Sequence, residues 1–91
     1  MNKLTETTQK ILEAATRLHS QGINEFTGFQ IAVEIEESEG ARFMIGYGTL
    51  YRALDKLEKQ ESLRSRWEDS SVAKKEGRLR RRYYQLMEVN A

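Results

Sequence analysis

The chain has 91 residues, 38% of them hydrophobic and 32% charged, a length and balance suited to one small domain with a compact core and a densely ionic surface. It contains no cysteine and no proline, which excludes a disulfide framework, a thiol nucleophile and every sulfur-ligated metal or cluster. The formal net charge of +1 is unevenly spread: residues 1–63 hold 7 Lys/Arg against 10 Asp/Glu, and residues 64–91 hold 8 against 4, so the basic C-terminal third points to a local anionic partner rather than to a coating protein.

In chain order, Leu4, Ile11, Leu12, Ala15 and Leu18 recur at threes, fours and sevens, the periodicity of an amphipathic helix over 4–18. Gly22 supplies its stop. Thr27 and Gln30 have the spacing of a capping box, and Ile31, Ala32 and Ile35 then give the buried face of a second, shorter helix. The pattern breaks at Gly40. Phe43 and Ile45 alternate briefly, which predicts a short strand between the second and third helices.

The third helix is predicted from about Tyr47 or Gly48 to Gln60, with Leu50, Ala53, Leu54 and Leu57 as its core stripe. In "LRSRWEDS", Leu63, Ser65 and Trp67 alternate with Arg64, Arg66 and Glu68, so a strand is expected there with Trp67 turned inward. "SSVAKKEG" has turn composition. "RLRRRYYQLM" reads as a second strand, with Tyr84 and Leu86 reaching the core. Two strands joined by a basic loop predict an antiparallel hairpin. The expected fold is therefore mainly α with a small antiparallel β-hairpin, one domain over 1–91, with the hairpin over about 63–87. Three helices and a hairpin in this order form the layout of a winged helix-turn-helix.

In that layout the third helix enters the major groove of a DNA duplex by its N-terminal turn. Tyr47, Gly48, Thr49, Tyr51, Arg52 and Lys56 are the candidate DNA-binding residues of this helix. Gly46 and Gly48 allow the backbone close to a duplex, Arg52 suits guanine or phosphate, and the hydroxyls of Thr49 and Tyr51 suit phosphate or a base edge. In the hairpin, Lys74, Lys75, Arg78, Arg80 and Arg82 are the candidate phosphate contacts. Residues 74–82 hold six basic side chains and one acid, Glu76, more than the charge needed to protect an edge strand.

These same segments, "TGFQIAVEI", "GYGTLYRALDKLEKQESLRSRW" and "GRLRRRYYQLM", resemble the PadR-like family of bacterial transcriptional regulators. Gly48, Thr49, Leu50, Tyr51, Leu54 and Leu57 match the family's recognition-helix pattern, and Arg82, Tyr83, Tyr84 and Leu86 match the end of its wing. Glu61 and Ser62 stand where the family usually has glycine followed by an apolar residue; Leu79 and Met87 replace a common proline and threonine. The resemblance implies a winged-helix repressor, with a small-molecule effector near a dimer interface in some members. The C-terminal dimerisation helices usual in the family are expected to be absent, leaving a homodimer to form through the first helix or another surface.

No catalytic motif, metal site or cofactor is expected. His19, the single histidine, suits the dipole at a helix C-terminus, and "EIEESE" reads as a solvated acidic face without a ligand loop. No apolar run approaches the ~20 residues that span a bilayer, and "MNKLTETTQK" lacks a secretory apolar stretch, so a cytoplasmic protein without a membrane partner is expected. Two other functions compete with double-stranded DNA binding. One is a winged-helix protein-interaction module, docking a basic partner on the acidic second helix. The other is RNA binding, for which the exposed aromatics expected are few: Tyr47, Tyr51 and Tyr83.

Overall fold

The computed structural model describes residues 3–40 and 43–87. The elements follow as α1 (Lys3–Ser20), α2 (Gly28–Glu39), α3 (Tyr47–Lys59), β1 (Leu63–Trp67), α4 (Ser70–Lys75) and β2 (Arg82–Leu86). This is a winged helix, mainly helical with one antiparallel hairpin.

The predicted helix stripes converge on a single core. Ile11, Ala14, Ala15 and Leu18 of α1 meet Ile31 and Ile35 of α2 and Leu50, Ala53, Leu54 and Leu57 of α3. Leu63 of β1 and Tyr84 of β2 close it from the hairpin side, with Leu86 packed at its edge. The start of α2 is fixed by the capping box: Thr27 Oγ1 accepts from the Gln30 amide at 3.1 Å, and the Gln30 side chain accepts from the Thr27 amide at 2.7 Å. An N-cap of this kind stabilises a helix by ~1 kcal/mol. It sets the α2 end that faces the hairpin.

β1 and β2 pair with Leu63 opposite Leu86 and Trp67 opposite Arg82. A third extended segment joins them, but not where the sequence suggests. Phe43 and Ile45 form no strand; their side chains pack on the core instead. The extra pairing comes from Phe26, just before α2. Its amide donates to the Tyr84 carbonyl at 3.0 Å, and the Tyr84 amide donates back at 2.8 Å. Their rings stack at 6.5 Å, and both are buried. β2 thus uses both edges, one for β1 and one for Phe26, which ties the hairpin to the entrance of α2.

Two further expectations change. The basic loop is not a simple turn but contains α4, which Asp69 caps by accepting from the Ser71 amide at 2.8 Å and which buries Ala73. Trp67 is not core; it is 55% exposed, while its neighbour Glu68 is 6% exposed. The alternation placed Trp67 on the same side as Leu63. The helical core, however, ends before that end of β1, so the indole projects past it.

Candidate nucleic-acid interface

The N-terminal turn of α3 stands open. Gly46 caps it without a side-chain bond, and a Cβ added at Gly46 or Gly48 would meet nothing within 4 Å. Tyr47, Tyr51 and Arg52 are exposed there, and Thr49 and Lys56 are half-buried. The Tyr47 and Tyr51 rings stack at 6.5 Å. Arg52 folds back over this turn, its Nε donating to the Gly48 carbonyl at 3.4 Å. Tyr51 also serves the fold. A Cβ at Gly28 would lie 2.8 Å from its hydroxyl, so any larger first residue of α2 would have to push the end of the Tyr51 ring aside. The "TGFQ" stretch gave the cap but not this contact.

The hairpin cations divide into two groups. Some are engaged within the protein. Arg78 grips the buried Glu68 through both terminal nitrogens, at 2.6 and 2.9 Å, and also reaches Glu76. Arg82 bonds Glu58 at 3.1 Å and Ser65 at 3.0 Å, and Ser65 in turn donates to Glu58. This links β1, β2 and α3. Arg66 holds Glu25 at 2.6 and 2.9 Å. Others are free: Lys74, Lys75 and Arg81 are exposed and make no side-chain hydrogen bond or ion pair among the described residues. Arg80 lies between the groups, with Nε on the Glu68 carbonyl at 2.8 Å.

These engagements shift protonation. The Arg78 guanidinium, with help from the Arg81 amide, pulls the Glu68 carboxyl down to about 2. Arg78 itself is held above the ordinary guanidinium range by Glu68. Hydrogen bonds from Arg66 lower Glu25, and those from Ser71 lower Asp69. All four groups stay charged at neutral pH and lock the hairpin's shape.

Between the hairpin and the helices lies a cleft of about 700 Å³, lined by residues 27–30, Tyr51, Trp67 and residues 80–84. It brings Tyr51 of α3 together with Arg80 and Arg82 of the hairpin. No Asp or Glu lines it, although the chain has 14. Arg80 and Arg82 lie over the Trp67 ring, 5.7 and 5.6 Å from its centroid, an arrangement of cation–π contacts. Phe29 and Trp67 were not among the candidate residues. The exposed position of Phe29 one residue past the Gly28 start of α2 was legible in principle; that of Trp67 was hidden by strand alternation.

Among the described residues, no three His, Asp or Glu side chains gather as a metal site, and no helix is long and apolar enough to cross a membrane. No match to a curated protein was found. The family model of PadR-like transcriptional regulators matches residues 17–89, from the last turn of α1 to beyond β2. With its three helices, glycine-led third helix and basic wing, the chain belongs to the PadR-like family of transcriptional regulators.

Proposed function

We propose that this regulator binds double-stranded DNA in a sequence-specific manner and acts as a repressor, with the first turn of α3 in the major groove and the wing against the backbone. The observation that carries the reading is the acid-free cleft in which Tyr51 of the recognition helix meets Arg80 and Arg82 of the wing. A duplex laid across both would meet uniform positive potential. Arg52 and Thr49 read base edges. Tyr47, Gly48, Tyr51 and Lys56 shape and charge the helix side of the surface, and Lys74, Lys75 and Arg80 hold phosphates. Arg78 and Arg82 contribute mainly by bracing the wing, since their guanidiniums are held by Glu68 and Glu58. The protein works in the cytoplasm. Assembled as a two-fold homodimer, it would read a palindrome with half-sites about 34 Å apart.

The alternative, a protein-interaction module using the acidic face of α2, is weakened by local pairing. Glu34 is bonded to Arg17 at 3.0 Å and Glu39 to Lys10 at 2.6 Å. The deciding experiment compares a duplex selected from a random pool with a scrambled duplex, by fluorescence anisotropy. Arg52→Ala is expected to cut discrimination between them by about 1–3 kcal/mol, whereas Lys74→Ala and Lys75→Ala weaken both equally. Equal affinity of the wild type for the two duplexes would overturn the reading.

A further inference from the structure

Double-stranded DNA explains the arginines of the cleft but not its aromatic rings. The chain has eight Phe, Tyr and Trp residues, and five of them line this one cleft. Tyr83 and Tyr84 belong to β2 and have structural partners: Tyr84 stacks on Phe26, and Tyr83 lies beneath Arg66 at 5.0 Å. The other three, Phe29, Tyr51 and Trp67, are 63%, 42% and 55% exposed, although Tyr51 also packs against Gly28 and Tyr47 and one side of Trp67 meets Arg80 and Arg82. They come from three separate elements, the start of α2, the start of α3 and the end of β1. A surface with no use for them would not gather three large apolar rings beside three arginines and exclude every carboxylate.

In a paired duplex each base hides its faces against its neighbours and offers only edges and phosphates. A ring wall is of use only to a base whose π-face is free. Aromatic side chains in a cationic groove are the combination that holds unpaired strands, since every base can stack and every phosphate can be neutralised. We infer that the cleft between the wing and α2 binds a single-stranded nucleic acid, stacking an unpaired base against Trp67 and Phe29 with the adjoining phosphates on Arg80 and Arg81. Arg81, exposed and without an ion pair among the described residues, is free for such a phosphate. Tyr47, stacked on Tyr51, extends the ring surface along the strand's path. The volume of about 700 Å³ falls in the range of small-ligand sites, ~300–1,000 Å³. The site shares Tyr51 and Arg80 with the duplex surface, so the two ligands exclude one another.

The test uses three labelled strands of about twelve nucleotides, within the footprint of such grooves: oligo-dT, oligo-rU and an abasic strand with the same phosphates and no bases. Base-bearing strands are expected to bind about tenfold more tightly than the abasic one, as one stacked base contributes ~1–3 kcal/mol. They should also quench Trp67, the only tryptophan. The ratio of dT to rU affinity reports which sugar the cleft accepts. Phe29→Ala and Trp67→Leu should reduce binding to the abasic level, while Trp67→Phe, which keeps a stacking ring, retains most of it. Phe29→Ala should leave the affinity for the selected duplex unchanged; a wild type that binds selected and scrambled duplexes equally, yet still prefers base-bearing to abasic strands, would count against the repressor reading and not against this one. Equal affinity for abasic and base-bearing strands, or a Trp67 emission that base-bearing strands leave untouched, would overturn the inference.

Discussion

Glu61 has φ 61°, the only positive φ at a non-glycine residue in the described chain. It follows α3, and the turn there is closed by the Ser62 amide on the Leu57 carbonyl at 2.9 Å and the Glu61 amide on the Glu58 carbonyl at 3.0 Å. The ends of α1 and α4 have the same pair of bonds, with Gly22 and Gly77 in the left-handed position. Glycine takes that conformation without the clash that a Cβ makes with the neighbouring carbonyl. Glu61→Gly is therefore expected to stabilise the protein by about 1 kcal/mol. That would raise Tm by roughly 4–8 °C for a domain of this size, and thermal denaturation followed by circular dichroism checks it. Gly48 behaves oppositely. Its φ is not positive and its Cβ direction is empty, so the fold does not require glycine there, and Gly48→Ala should add about 0.5 kcal/mol of helix stability. If glycine is kept for close approach of a duplex, the same change should weaken DNA binding by roughly tenfold, or ~1.4 kcal/mol. A variant that melts higher and binds unchanged would show that the first turn of α3 does not touch DNA closely.

The wing is held by apolar anchors at its base and by paired charges beyond them. Leu63, Ala73 and Tyr84 are its buried anchors, and beyond them Glu68 sits in the grip of Arg78 and the Arg81 amide. The Arg78 guanidinium beside it holds its carboxyl down at about 2 in the fold, against about 4.5 for a free glutamate. The folded wing thus binds fewer protons than the open chain across that interval. Its contribution to stability is full above about pH 4.5 and is lost progressively as pH falls toward 2. Glu25 and Asp69, also lowered, act with the same sign. Trp67 adjoins Glu68 and is the only indole, so its emission is expected to stay level from neutrality to about pH 5 and to shift below it. Glu68→Gln should blunt that acid transition and lower the neutral-pH Tm. An acid transition unaltered in this variant would place the proton uptake elsewhere. The three main helices and the hairpin were legible because each repeats over enough residues to show its period, and the capping box because Thr27 and Gln30 stand at its fixed spacing. α4 was not. Six residues make fewer than two turns, and Ser-Ser and Lys-Lys resemble a loop until Asp69 is seen to cap them. The Phe26 pairing was illegible for another reason: it depends on which edge of β2 remains open, a fact of assembly that no local pattern carries.

At the scale of the whole molecule, the sequence located the basic surface but not how its charges are used. Periodicity identified Arg78, Arg80 and Arg82 as cations on one strand, but whether a guanidinium faces solvent depends on acids distant in the chain, such as Glu58 and Glu68. It also missed Trp67 and Phe29, since alternation records which side a residue faces and not where the core ends. This division leads to a quantitative expectation for DNA binding. On the proposed DNA surface Arg52, Lys56, Lys74, Lys75, Arg80 and Arg81 lack ion pairs among the described residues, whereas Arg66, Arg78 and Arg82 have them. If only the first group neutralises phosphates, each chain displaces counterions at about six positions, and log K against log salt should fall with a slope of about −5.4 per bound chain. Lys75→Ala should reduce that slope by about 1 and leave Tm unchanged. Arg78→Gln should do the reverse, lowering Tm by several degrees through the unpaired Glu68 and leaving the slope nearly intact when measured well below the melting range. A slope near −8, falling by about 1 in Arg78→Gln, would mean that DNA draws the wing arginines away from their carboxylates. The bracing in the free protein would then be exchanged for phosphate contacts on binding.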